Sequence, residues 1–385
     1  MDNSGKIKNF FKQAQMKQLI VAFVFLLLIV TGIIIATTIV RMKNERLGGQ
    51  ANVSSVLSAP IKPLDSDIFT KDSVVFDATV KQDIYTKEKE YVGGMIDSLL
   101  LDIEEQFSPD TKGSEIFKVN TTAGMTEVEK PVIMQDIVDI IEKTKTLSDD
   151  WNGLFEMTAY PLKRLWNVGS DNFSLPSKQE IKDTKKLINN KNIEVSLENN
   201  TVWLKKPFMK IDLRGITEGY ACGKIFELAK EQDITSAIFS VGGSTAIVGD
   251  KPNGMPFDIK LIDPLTQNSS FGTLISPDTI ISTVGVYEPT VDIDSMKYKN
   301  ILDPKTGYPA KSDIESVTVI SEDGILADFL STTFYVGGLD FAIGNLESSD
   351  FSVIILDKNK NVYLSSSLKE TFKVSDGFTI KDTLN

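Results

Sequence analysis

Asp212-Leu-Arg-Gly-Ile-Thr-Glu-Gly219-Tyr-Ala221 runs from a loop into a helix, with helical spacing continuing over Tyr220–Glu231. The first amides of such a helix point at whatever lies before it and make a ready anion site. Three more motifs follow: Val241-Gly-Gly-Ser244, Asn300-Ile-Leu-Asp-Pro-Lys-Thr-Gly307 and Leu326-Ala-Asp-Phe-Leu-Ser-Thr332. Each is a tight turn or a helix entry beside oxygen-bearing side chains. Together they describe a place where a phosphorylated ligand and a hard metal could sit against exposed backbone.

Outward from this stretch, Ser73–Thr79 reads as a first strand. Tyr91, Met95, Leu99, Ile103 and Phe107, spaced by four, predict an amphipathic helix. Ile137, Ile140, Ile141 and Thr144 predict a second, and Ser177 with Glu180 opens a third through a capping box. Ile325–Val336 has helical spacing as well. Strands are expected at Val195–Leu197, Val202–Leu204, Ala237–Val241, Phe257–Ile262, Ile280–Thr283 and Ser316–Ile320. A hairpin is expected over Phe351–Leu356 and Asn361–Ser365, turning at Asp357–Lys360. Strands and helices do not alternate regularly, so the reading is α+β, with one catalytic-size domain over residues 68–385.

Leu19–Val40 are 22 consecutive residues without a charge. As a helix they span about 33 Å, enough for a bilayer core of about 30 Å. No small-residue cleavage site closely follows Val40, so a retained transmembrane helix is preferred to a signal peptide. Residues 1–18 are then a short cytoplasmic segment and 41–67 a linker, rich in Ser, Gly, Pro and Ala from Gly48 onward. Four lysines before the span against three basic residues after it favour a cytoplasmic N-terminus and an extracytoplasmic domain. Seven Lys/Arg against two Asp/Glu give residues 1–46 a net +5; taken from the chain's −12, this leaves −17 on residues 47–385. Such a surface repels nucleic acid, and DNA or RNA binding is excluded. With no histidine in the chain there is no Ser-His-Asp triad and no His-ligated zinc. Cys222 is the single cysteine and reads as a buried structural thiol.

Asp328 and Thr332, at i and i+4, share a helix face. One carboxylate and one hydroxyl suit Mg²⁺, which takes one or two carboxylates and completes its shell with water and phosphate. The same pair elsewhere is an ordinary solvated face. Asp303-Pro-Lys-Thr-Gly307 is by default a turn, and so is Gly242-Gly243, unless the missing Cβ atoms let a ligand approach the backbone. Asn152-Gly-Leu-Phe-Glu156 with Tyr160, Leu165 and Trp166 is either core packing or the wall of a flavin pocket.

The ordered set resembles the ApbE-type FAD:protein FMN transferases from about Phe76 to Gly338. Phe76-Asp-Ala-Thr79, Phe107-Ser-Pro-Asp-Thr-Lys-Gly-Ser-Glu115 and Gly153-Leu-Phe-Glu156 with Pro161-Leu162 and Trp166 extend it. The resemblance implies FAD as substrate and Mg²⁺ as cofactor, with Asp328, Thr332 and a backbone carbonyl near Gly215 as ligands. Leu154, Phe155, Glu156, Asp212, Glu218, Gly242, Gly243 and Ile301 would line the FAD site. FMN would pass to a threonine hydroxyl of an extracytoplasmic flavoprotein, with AMP leaving.

Several positions depart from the family pattern. Asn300 stands where the family has a histidine, a candidate proton acceptor, and Asp110 where it has an aromatic. Ser244 replaces a common aspartate, and Val284-Gly-Val-Tyr287 replaces S-G-D-Y. Asp303 or Asp328 could take over as base. Three readings follow: an anchored FMN transferase, an impaired descendant that binds FAD or a partner as scaffold or regulator, or an unrelated anchored binding domain.

Overall fold

Thr279–Gly285, seven residues all buried, is the middle strand of the main sheet. The computed structural model describes residues 68–381, apart from 127–129, 169–172, 174, 265, 267–268, 277, 286–289 and 294–295. The span Leu19–Val40 and the linker lie outside the described residues. No helix among the described residues is long and apolar enough to cross a membrane.

The strands run in chain order as β1 (Phe69–Val75), β2 (Ala78–Ile84), β3 (Ile193–Ser196), β4 (Thr201–Leu204), β5 (Ser236–Val241), β6 (Ser244–Gly249), β7 (Phe257–Ile262), β8 (Ser270–Ser276) and β9 (Thr279–Gly285). Beyond them lie β10 (Thr290–Ile293), β11 (Met296–Lys299), β12 (Leu302–Asp303), β13 (Tyr308–Pro309), β14 (Ile314–Ser321), β15 (Ser352–Asp357), β16 (Asn361–Leu364), β17 (Phe372–Val374) and β18 (Thr379–Ile380). The helices are α1 (Lys89–Phe107), α2 (Glu115–Thr121), α3 (Gln135–Asp150), α4 (Tyr160–Trp166), α5 (Lys178–Lys185), α6 (Arg214–Glu231), α7 (Gly324–Gly337) and α8 (Leu339–Ile343).

Among the described residues the main sheet has nine strands in the order β1-β2-β5-β6-β9-β14-β15-β16-β18, antiparallel except where β18 runs parallel to β16. Successive side chains of a strand point to opposite faces, and here both faces are apolar. Ala246 and Val248, Ile280, and Val353 and Ile355 face one core; Ile247, Ile281, Ile354 and Leu356 face another. α6 and α7 cover the first face, α7 across β9 and β14, α6 across β5 and β6. The small sheet β17-β8-β7 contributes Phe372, Phe271 and Ile259 to the second core. The α+β expectation holds.

α6 and α7 meet at two glycines. A Cβ on Gly219 would lie 2.0 Å from the Gly324 carbonyl oxygen, and one on Gly324 would lie 2.0 Å from the carbonyl oxygen of Gly219. Only bare backbone allows this crossing.

Several local expectations need correction. Ser73–Thr79 is not one strand: Phe76 and Asp77 have φ of 60° and 59° and form the two-residue turn of the β1–β2 hairpin. Positive φ at both central residues is what the right-handed twist of a two-residue hairpin demands, even without glycine. The buried stripe of α1 is Val92, Ile96, Leu100, Ile103 and Phe107, whereas Tyr91 is 67% exposed. A strict four-residue repeat drifts: at about 100° per residue, positions 91 and 107 lie roughly 160° apart around the helix. α6 begins at Arg214, six residues before its clear periodicity, and β6 and β8 had no prediction. The Ser177 box, with both reciprocal bonds, and the β15–β16 hairpin match their expectations.

Candidate functional site

Two consecutive residues of α6 and two of β9 converge on Asp328 and Gly243. The Gly219 N–H donates to Asp328 Oδ2 at 2.9 Å, and the Ser282 hydroxyl donates to Asp328 Oδ1 at 3.2 Å. Next door, the Gly243 N–H donates to Glu218 Oε2 at 2.8 Å, and the Thr283 N–H to the Gly243 carbonyl at 2.9 Å. The fold explains each placement. Asp328 lies one turn beyond Gly324, where α7 touches α6. Ser282 is paired in register with Ser244, just after the β5–β6 turn. Gly242 has φ of 55°, and a Cβ there would sit 2.2 Å from the Glu218 carboxylate. The close approach permitted by Gly242-Gly243 is thus used by a side chain of this protein.

Asp328 is 5% exposed, and Thr332 lies half-buried one turn further along α7. Ser331 extends the network, its hydroxyl 3.3 Å from that of Ser282. No group of three or more His, Cys, Asp or Glu that could hold a metal occurs among the described residues. Asp328 with the hydroxyls around it is one oriented carboxylate among neutral oxygens, a donor set compatible with Mg²⁺ and its preference for few protein ligands. Cys222 is fully buried on α6. Burial, then the charges of Glu218 and Asp328, push its thiol well above the usual range, so it is no nucleophile.

A second group surrounds the start of α6. Arg214 Nε reaches both Asp212 oxygens, at 2.9 and 3.1 Å, and the Arg214 N–H donates to Oδ1 at 3.0 Å. Lys163 lies 3.5 Å from Oδ2. Asp212 is 3% exposed. Burial alone would raise its carboxyl, but Lys163 and then Arg214 hold it below the ordinary carboxylate range. The Arg214 guanidinium sits 5.4 Å from the Tyr160 ring centre, and the Tyr160 hydroxyl donates to Asp110. Burial and then Asp110 raise the Tyr160 phenol, which stays a proton donor. Asp110, expected only as the loss of an aromatic, is thus the acceptor of a built network.

The remaining residues named from the sequence make the following contacts within the chain. The Phe155 ring packs on Gly215, where a Cβ would lie 2.5 Å from Cε2, and 5.0 Å from the Phe329 ring. Glu156 caps the turn Met157–Ala159 and accepts the Asn190 N–H at 3.0 Å. Burial raises its carboxyl, against these N–H bonds. Leu154 is half-buried in the turn before it. Asp303 Oδ1 accepts the Lys305 N–H at 2.8 Å inside its own turn, and Ile301 accepts the Ala310 N–H. That turn is anchored on Trp166, whose Nε1 donates to the Gly307 carbonyl at 2.8 Å, and on Lys185 of α5. Asn300 is half-buried at the entry to the turn. Tyr287 lies outside the described residues.

The ApbE family model matches residues 75–355. The chain belongs to the ApbE family. It is 24% identical to the FAD:protein FMN transferase of Klebsiella pneumoniae over 321 residues, 83% of this chain and 98% of that protein. It is 26% identical to that of Vibrio cholerae, over 71% and 82% of the two chains. The crystal structure of the ApbE protein from Thermotoga maritima superposes with a TM-score of 0.73 at 25% identity, covering 79% of this chain and 99% of that one. The flavin transferase ApbE from Vibrio cholerae gives 0.71 at 23% identity, over 80% and 100%.

In this ApbE chain the sequence did not point to Ser282, nor to the pairing of Arg214 with Asp212. Ser282 lies 46 residues before Asp328, in a strand that also carries Thr279 and Thr283, so only the register of β9 singles it out. A carboxylate two residues before an arginine at a helix entry was a legible signal for the second.

Proposed function

We propose that this chain transfers FMN from FAD to a threonine hydroxyl of a flavoprotein and releases AMP. The observation that carries the reading is Asp328, a buried carboxylate oriented by Gly219 and Ser282 one turn from Thr332. In the reaction an acceptor Oγ–P bond forms at the FMN phosphorus, and the P–O bond of the diphosphate breaks. The bridging oxygen leaves with AMP, and the hydroxyl proton passes to a base or water. Such transfer depends on in-line positioning and electrostatics more than on a protein nucleophile.

Asp328 and Thr332, with the Gly215 carbonyl, are the residues that would hold Mg²⁺, which when bound neutralises charge on the diphosphate. Glu218 keeps the Gly242-Gly243 turn closed beside it. Asp212 and Arg214 fix the start of α6, where amides face an anion. The Leu19–Val40 helix would place this domain outside the cell membrane, where the acceptor resides.

The test is incubation of the full chain with FAD, Mg²⁺ and an acceptor flavoprotein. An acceptor mass increased by one FMN, with stoichiometric AMP, is the expected result; its absence where a related enzyme succeeds sinks the proposal. A second reading, a member that binds FAD without transfer, is favoured by Asn300 and by Asp110 bonded to Tyr160. It expects tight flavin binding with no AMP.

A further inference from the structure

Lys205-Lys-Pro-Phe-Met-Lys210 joins β4 to the loop before α6 and makes a turn that the amino acid at its tip does not suit. The Met209 N–H approaches the Lys206 carbonyl at 3.4 Å, Pro207 holds the second position, and Phe208 has φ of 66°. A turn with proline second and positive φ third calls for glycine or asparagine. A phenylalanine there is strained by its Cβ. Phe208 is also 81% exposed, so packing within the chain does little to offset the strain.

The base of the turn is firm. Met209 is fully buried, and Ile211 exchanges both backbone bonds with the Asn120 side chain, at 2.7 and 3.0 Å. Gly124 lies against Pro207, where a Cβ would come within 2.4 Å of the proline nitrogen. A rigid mount thus presents an exposed phenyl ring. Lys205, Lys206 and Lys210 are exposed around it; Lys205 pairs with Glu194 at 3.2 Å.

We propose that Phe208 and its lysines dock this domain on an anionic lipid surface, the ring entering the headgroup boundary and Lys206 and Lys210 meeting lipid phosphates. Charge complementarity selects this occupant. Residues 47–385 carry a net −17, yet three lysines fall within six residues around one protruding aromatic. An aromatic ring at the membrane interface flanked by basic side chains is a recognised combination. Chain length agrees: only 27 residues separate Val40 from residue 68. This clause rests on the anchoring proposed above.

The test uses the full chain in vesicles. Cys222, the single native thiol, is buried, so a nitroxide on Phe208→Cys reports that site. In vesicles of 30% phosphatidylglycerol in phosphatidylcholine, the collision ratio of oxygen to a water-soluble nickel chelate should be at least fivefold above that of a Glu370→Cys control. It should fall toward the control in phosphatidylcholine alone. Lys206→Gln and Lys210→Gln should each lower the lipid-contacting fraction about fivefold. Phe208→Gly, which relieves the turn, should raise Tm while reducing contact of the unlabelled chain with lipid, so that loss of contact is separated from misfolding. Equal ratios at 208 and 370 overturn the proposal, as does protection that appears only with added acceptor protein or grows only with protein density. Alkaline carbonate extraction tests the anchor independently; if the chain is extracted, flotation of wild type against Phe208→Gly still decides the lipid contact.

Discussion

The Gly219 N–H meets Asp328 Oδ2 at 2.9 Å at the point where α6 and α7 cross with no side chain between them. The crossing places the carboxylate: a wider separation of the helices would carry Asp328 away from both Gly219 and Ser282. Packing and site chemistry are therefore one feature here.

Gly219→Ala and Gly324→Ala should each destabilise the protein by about 1–3 kcal/mol or more, since each new methyl meets backbone that cannot rotate aside. Urea unfolding should show a lower midpoint with an unchanged slope. Both variants should also lose flavin transfer beyond what the unfolded fraction explains, because Asp328 moves with α7. Wild-type stability in Gly219→Ala would show that the helices can part freely.

Ser282→Ala removes one donor to Asp328 and leaves the strand intact. Groups that orient a metal ligand typically contribute 10- to 100-fold in metal affinity. The expected outcome is a rise of that order in the Mg²⁺ concentration giving half-maximal transfer, with maximal rate less affected. Titrating Mg²⁺ in the FMN-transfer assay reads both; an unchanged midpoint would remove Ser282 from the site.

How much of this was legible varies with the range of the interaction. The Ser177–Glu180 box is complete within four residues, and the β15–β16 hairpin within its own two strands. Both could be read because their partners are neighbours. The Phe76-Asp77 turn was hidden because its first position breaks the usual turn chemistry, with a phenylalanine at positive φ. The motif residues that converge at Gly243 and Asp328 were named from the sequence, but their mutual contacts depend on the register of β6 with β9 and on a helix crossing 105 residues apart in sequence. No local pattern encodes those.

Asp212 and Arg214 give a pH signature. The Asp212 carboxyl is held below its unfolded value of about 3.9. The pair's contribution is therefore complete above that value and is lost as pH falls through the lower folded value. Arg214→Ala should cost about 1.5–3 kcal/mol at pH 7, the range for hydrogen bonds to a charged group. Its cost should shrink toward zero once the pH lies below both values. Denaturant melts of wild type and variant at pH 7 and across the acid range would check this; a penalty independent of pH would mean that Arg214 acts only through its packing on Tyr160.

Asn300 allows the proton-transfer question to be separated from binding. An amide cannot accept a proton near neutral pH, whereas an imidazole titrates near 6.5 and can act as general base above it. If the half-buried 300 position faces the acceptor hydroxyl, Asn300→His should raise the transfer rate by roughly 10²-fold or more. The gain should appear as pH climbs through about 6.5 and level off above it, while the affinity for FAD changes little. Single-turnover FMN transfer from pH 5.5 to 8.5, with flavin binding measured separately, reads both quantities. A flat profile with no gain would place the base elsewhere. Asp303 is disfavoured for that role, since its carboxylate already closes its own turn at Lys305.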